Sequence, residues 1–172
     1  RCDLLGQLMK RFPQAINISG THGKTTTTAM MAETFMSCGE DPSVHIGGEL
    51  DYLGGSTRLG KGEAFICEAC EFNASFHHFF PTIAVILNID EDHLDFYKDI
   101  DDIQNAFLKF ASLVPEEGWT IGCGDDRRVR QVLDSLPCHT RTYGLEPQNE
   151  VRAEEISYDE NGCAHFTATL YG

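Results

Sequence analysis

Two hydrophobic periods alternate along the chain, and each switch between them marks an element boundary. Residues 2–10 place Leu4, Leu5, Leu8 and Met9 at helical spacing, and Pro13 ends that pattern. Residues 15–19 set Ile16 and Ile18 between polar neighbours, which predicts a short strand. A glycine-bearing turn over 20–24 leads into a predicted helix over 25–38, with Ala29, Met30, Ala32, Phe35 and Met36 inward and Gly39 as its stop. Residues 43–62 carry six glycines from position 47 onward and predict an irregular, exposed and mobile segment. Strands are predicted over 64–69 and 82–89. The second is so continuously aliphatic that both its faces require cover, as in a parallel sheet. Apolar residues at 100, 103, 106, 107, 110 and 113 predict an amphipathic helix. A strand over 119–123, a helix over 126–136 and a last parallel strand over 141–143 follow. Residues 151–158 and 164–171 then alternate around Asn161-Gly162, a hairpin signature. The expected fold is α/β: an open, mostly parallel sheet with flanking helices and a C-terminal β-hairpin.

Composition narrows the classes of function. The 172 residues are 41% hydrophobic and 23% charged, enough to bury one substantial core. Acidic residues outnumber basic ones 27 to 13, so a broad grip on nucleic acid or anionic membrane is disfavoured while a local phosphate site is not. No apolar run nears the roughly 18 residues of a membrane span. The chain opens at Arg1 with no signal-peptide pattern, which reads as a piece excised from something longer. Seven scattered cysteines, an odd number, suit a reducing cytoplasm rather than a disulfide framework. Cys67 and Cys70 form a single CxxC; without a second pair, ordinary thiols are expected over a zinc or redox module.

The strongest chemical signal is Ser19-Gly20-Thr21-His22-Gly23-Lys24-Thr25-Thr26, placed between a predicted strand and a predicted helix. Glycines let backbone amides close around phosphate oxygens, and a helix N-terminus presents unpaired N–H groups. Lys24 adds a charge for the β/γ region, and the Thr25 hydroxyl is placed to ligate Mg²⁺. The spacing between the glycines is shorter than in the common GxxxxGK[ST] loop, so this is a compressed relative of it.

Two further groups fall at predicted strand ends, where open α/β sheets bind ligands. Glu68 ends the 64–69 strand and could complete Mg²⁺ coordination with Thr25; Glu71 competes for that role. The run Asn88-Ile89-Asp90-Glu91-Asp92-His93-Leu94-Asp95 follows the most buried strand. His93 could ligate a second metal as neutral imidazole, oriented by Asp92 or Asp95; an acidic loop capping the next helix is the plainer alternative.

Taken together, Gly20–Thr28, Glu68-Ala69-Cys70-Glu71 with Ser75-Phe76, and Asn88-Ile89 with Asp92-His93 and Asp95 resemble the Mur ligases, from about residue 1 through 144 and more loosely to 172. The resemblance implies the family's central ATP-binding domain, cut short at its C-terminal end. A UDP-binding N-terminal domain and a C-terminal ligase domain would flank it. It implies ATP and Mg²⁺, with Gly20, Thr21, His22, Gly23, Lys24, Thr25 and Thr26 around the nucleotide. Lys24 would contact phosphates, Thr25 and Glu68 would hold one Mg²⁺, and His93 would serve the second metal near an acyl phosphate. Several sister ligases carry a carbamylated lysine on the helix after the histidine; here Phe107 falls at that position, with Lys109 out of phase. That is similar to the alanine-adding branch, whose substrates are UDP-N-acetylmuramate and L-alanine. His22 and Gly47-Gly48 would face the muramyl substrate. Cys70 departs from a family carboxylate, which leaves that carboxylate's role open. Other Mur-like ligases, of the murein-peptide recycling or folylpolyglutamate type, and a non-catalytic nucleotide-binding module are the alternatives. Alone, the fragment is expected to fold, bind nucleotide weakly and catalyse no ligation.

Overall fold

The computed structural model describes residues 2–170; the predicted last position of the final strand, Tyr171, lies outside them. Nine strands form one sheet in the order β3-β2-β4-β1-β5-β6-β7-β8-β9. They are β1 (Gln14–Ser19), β2 (Ser43–Leu50), β3 (Gly55–Arg58), β4 (Ala64–Glu68), β5 (Ile83–Ile86), β6 (Trp119–Cys123), β7 (His139–Gly144), β8 (Val151–Tyr158) and β9 (Ala164–Leu170). Pairing is parallel from β2 through β8; β3 on β2 and β9 on β8 are antiparallel. The helices are α1 (Cys2–Met9), α2 (Lys24–Ser37), α3 (Ile100–Ala111) and α4 (Arg127–Leu133). Among the described residues no helix is long and apolar enough to cross a membrane.

The continuous aliphatic run of β5 is explained by two cores, one on each face of the sheet. Val85, with Ile16, Ile18 and Ile66, packs against α2 through Ala32. Ala84 and Ile86, with Ala15 and Phe65, pack against α3 and α4 through Phe107, Phe110, Val129 and Leu133. The period of two therefore sends neighbouring residues of one strand into different cores. Asp99 begins α3 by accepting from the Asp102 amide at 2.9 Å. Asp126 begins α4, accepting from Arg128 and Val129, and its other oxygen accepts from Ile89. That last bond ties the acidic loop after β5 to α4.

Two expectations are corrected. Residues 43–62 are not irregular: β2 and β3 extend the sheet there, with Val44 and Ile46 fully buried beneath α2. The glycines around position 47 mask a short alternating apolar pattern that pairs with β4. Met30 is not inward; it is 65% exposed, and Thr28 takes the buried position with its hydroxyl donating to the Lys24 carbonyl. That bond removes the penalty of burying a hydroxyl, which a purely apolar count cannot anticipate. The 3-10 segment Phe72–His78 lies in a stretch for which no element was predicted.

The Asp125 carboxylate accepts from the Leu145 and Glu146 amides and from the Asn149 side chain, joining the loop after β6 to the loop before β8. Burial pushes its pKa up, but these donors outweigh it and the net shift is below the usual carboxylate value. A depressed folded pKa means stability present above the unfolded value and lost as pH falls through the folded one. Asp125→Ala is expected to cost about 1–2 kcal/mol at pH 7. In thermal melts that deficit should shrink once wild type is also protonated, below the folded value.

Candidate active site

The C-terminal ends of β1, β4 and β5 bring the site residues together. The loop after β1 needs both of its glycines. Gly20 (φ 143°) sits where a Cβ would come within 2.9 Å of Leu87, and Gly23 (φ 84°) is the left-handed residue that opens α2. The loop is stitched to the segment after β5. Thr21 donates its amide to the Asn88 carbonyl, its hydroxyl accepts from the Asp90 amide, and the His22 amide donates to Asn88 Oδ1. The amides of Thr21 and His22 therefore shape the loop, whereas those of Lys24, Thr25 and Thr26 precede the first helical bond, from Thr27 to Gly23. These last three belong to the set a helix start offers to an anion. His22 has its ring 3.7 Å from the Asp90 carboxylate, both exposed.

Thr25 Oγ1 lies 3.2 Å from Glu68 Oε1, and Glu68 Oε2 accepts from the Gly47 amide at 2.8 Å. A Cβ at Gly47 would come within 2.8 Å of the Glu68 carboxylate, so a side chain there would push that carboxylate from its present place. A hydroxyl and a carboxylate side by side at the mouth of an anion cradle form a hard-oxygen set that fits Mg²⁺. Cys70, Glu68, Gly47, His45, Ser75 and Phe79 line a cavity alongside.

A second set of donors forms behind Lys24. One ligand atom each from Glu71, Asp92 and His93 lies within 4.8 Å of the others. His93 adopts φ 53°, its amide donates to Asp92 Oδ1 at 2.7 Å, and its ring packs on Phe72 with centroids 4.9 Å apart. Glu71 is 1% exposed and pairs with the Lys24 ammonium. Of the two acids left open above, Glu68 faces Thr25 and Glu71 faces Lys24 and His93. Sequence reasoning named Glu71 only as a rival of Glu68; its burial between Lys24 and Tyr97 has no local signal. Tyr97 donates its hydroxyl to the Glu71 carbonyl, and burial pushes that phenol up to about 12.

Phe107 sits in the core rather than in the site. It is fully buried, its ring edge-on to Phe76 at 5.3 Å, while Lys109 is exposed. The two CxxC sulfurs go to different surroundings: Cys67 is buried in the core with Phe65, and Cys70 lines the cavity. Burial pushes the Cys70 thiol up, away from thiolate reactivity. Neither cysteine joins the group of converging ligand atoms found among the described residues.

An open sheet covered by helices, with a glycine loop, a lysine and paired acids at its strand ends, defines an α/β domain built around an anion-binding turn. The chain belongs to the Mur ligase family, with residues 18–170 matching the Mur ligase middle domain. It is 51% identical over 168 residues to the UDP-N-acetylmuramate–L-alanine ligase of Acetivibrio thermocellus, covering 97% of this chain and 36% of that protein. The chain thus spans about a third of that relative's length. Among solved structures it resembles UDP-N-acetylmuramate:L-alanyl-γ-D-glutamyl-meso-diaminopimelate ligase from Neisseria meningitidis, with TM-score 0.83 and 27% identity over 99% of this chain and 56% of the other. UDP-N-acetylmuramate–alanine ligase from Thermotoga maritima shares the fold, with TM-score 0.81 at 24% identity over 98% of this chain and 37% of the other.

Proposed function

We propose that this chain is the ATP-binding middle domain of a UDP-N-acetylmuramate–L-alanine ligase acting in the cytoplasm in peptidoglycan synthesis. Flanking domains of the same polypeptide would bind the UDP group and complete the ligase site. The observation that carries the reading is the convergence of Lys24, Thr25, Glu68, Glu71 and His93 at adjacent strand ends. In the proposed reaction an oxygen of the lactyl carboxylate attacks the γ-phosphorus of ATP and ADP leaves. The amine of L-alanine then attacks the acyl carbon, loses a proton, and phosphate departs from the tetrahedral intermediate to leave an amide. The acyl phosphate supplies the leaving group that a bare carboxylate lacks.

Gly23, with the amides of residues 24–26, would hold the phosphates, and Lys24 would balance the charge that develops as the terminal phosphoryl group transfers. Thr25 and Glu68 would hold one Mg²⁺ and His93 would serve a second. Those ions, when bound, supply charge neutralisation between reactants that are all anionic or phosphorylated. The cavity beside Glu68, edged by Gly47, is the side from which the muramyl substrate would reach that centre. The identity of 51% to an alanine-adding relative supports L-alanine as the amino acid over the tripeptide of the recycling relatives.

Phosphate release by the full-length protein, with ATP, Mg²⁺ and UDP-N-acetylmuramate, tests this directly. L-alanine is expected to exceed the L-alanyl-γ-D-glutamyl-diaminopimelate tripeptide by at least about 100-fold in kcat/KM. Preference for the tripeptide would assign the chain to the recycling ligases, and ATP binding without Mg²⁺-dependent turnover would make it a binding module. The isolated chain is expected to bind nucleotide weakly and to form no amide.

A further inference from the structure

Lys24 has no free donor. Its ammonium carries three N–H groups, and it donates to the Gly20 carbonyl at 2.7 Å, the Thr21 carbonyl at 3.0 Å and Glu71 Oε1 at 3.0 Å. The loop's main cation is therefore fully engaged by protein oxygens. Glu71 Oε2 is 2.9 Å from the same ammonium but out of line for a hydrogen bond, and it has no hydrogen-bond partner of its own. The side chain is 2% exposed. Its backbone is held by Tyr97 and by the Ala74 amide, both donating to the Glu71 carbonyl, so the carboxylate cannot simply follow Lys24 outward. Its other close side-chain neighbour is the His93 imidazole, with Nε2 3.7 Å from Oε1.

We propose that Glu71 is a positioning residue, a buried counter-ion that holds Lys24 inward and competes with polyphosphate for it. The inference rests on the reading of the loop as a phosphate cradle. An anion arriving in the cradle must take at least one N–H from a protein oxygen, and the Glu71 carboxylate is the charged member of that set. Once Lys24 turns to phosphate, Glu71 is left buried with an unbalanced charge, a costly state unless a cation replaces the ammonium. His93 and Asp92 stand where a divalent ion could do so, since their ligand atoms and that of Glu71 lie within 4.8 Å of each other. Polyphosphate binding should therefore be weak without a divalent ion and should tighten when one is supplied, through exchange of cations at Glu71.

Calorimetric titration of the full-length protein with inorganic tripolyphosphate, in EDTA and then in Mg²⁺, tests this with Glu71→Gln. In EDTA the variant is expected to bind about five- to tenfold tighter than wild type, because the competitor is gone. Mg²⁺ should tighten wild type more than the variant, closing that gap. In steady state the variant should lose at least about tenfold in kcat with KM for ATP unchanged or lower. A merely structural role would weaken tripolyphosphate binding and raise KM instead. Should Glu71→Gln fail to fold, Glu71→Asp, which draws the carboxylate back by one methylene, is expected to tighten metal-free binding about threefold. Binding by the folded variant that is equal to or weaker than wild type in EDTA overturns the inference while leaving the cradle standing. Wild type that binds no tripolyphosphate under either condition overturns the cradle, and this inference with it.

Discussion

Lys24→Ala is expected to lower ATP turnover by the full-length ligase by about a thousandfold or more. The ammonium sits at the base of the loop, on the Gly20 and Thr21 carbonyls and Glu71, from where it can turn to an anion in the cradle. His22, the loop's other basic side chain, turns to Asp90 at the outer edge and does not replace it. Removing it also strands Glu71, whose side chain is 2% exposed, so the variant should melt lower than wild type. Adding Glu71→Gln to Lys24→Ala separates the two effects. The double variant is expected to recover melting temperature, because the orphaned charge is gone, and to recover no turnover. Coupled phosphate-release kinetics beside thermal melts check both. Turnover by Lys24→Ala within about tenfold of wild type would remove Lys24 from the chemistry.

Phe107→Ala is the second large effect, and it falls on stability. Phe107 lies edge-on to Phe76, which stacks on Phe110 with centroids 4.7 Å apart, and all three are fully buried in the core that Ala84 and Ile86 of β5 join. Truncation leaves a cavity in a close-packed aromatic cluster, for which about 3–5 kcal/mol of unfolding free energy is expected, read from urea denaturation. Phe107→Lys should cost more, since an ammonium there would have no buried partner. Position 107 is thus used for core packing, and α3 contributes no ligand from it. A loss below about 1 kcal/mol for Phe107→Ala would show that the aromatic cluster is not the core that holds α3 to the sheet.

How far the chain could be read from its residues follows from how local each signal is. The loop from Gly20 to Thr26 carries its own geometry, because its glycines, lysine and following helix lie within one stretch. The parallel sheet was legible in Ile83–Ile86, where consecutive aliphatics leave no solvent face. Glu68 was placed beside Thr25 by topology alone, since both sit at the same end of a parallel sheet, and the structure puts their oxygens 3.2 Å apart. By contrast, β2 hides behind its glycines. Gly47 leaves room for the Glu68 carboxylate, a tertiary contact that reads in isolation as looseness. Thr28 displaced Met30 from the inward face because its hydroxyl finds the Lys24 carbonyl. Nothing near Glu71 distinguishes it from Glu68, three residues away; Lys24, Tyr97 and His93, brought from other parts of the chain, enclose it. Asn73 and Ala74, with φ of 52° and 51°, shape the turn beyond it without a glycine to announce it.

Whether the ends of β1 and β4 and the loop after β5 form one site for a nucleotide polyphosphate and its divalent ions is tested most directly by a crystal structure of the full-length protein with a non-hydrolysable ATP analogue and Mn²⁺. The ions would be located by anomalous scattering. The expected result is phosphate density against the amides of residues 24–26, Lys24 turned from Glu71 toward it, and one ion between Thr25 and Glu68. Nucleotide bound elsewhere, with Lys24 still on Glu71 and no ion at Thr25, would contradict the account.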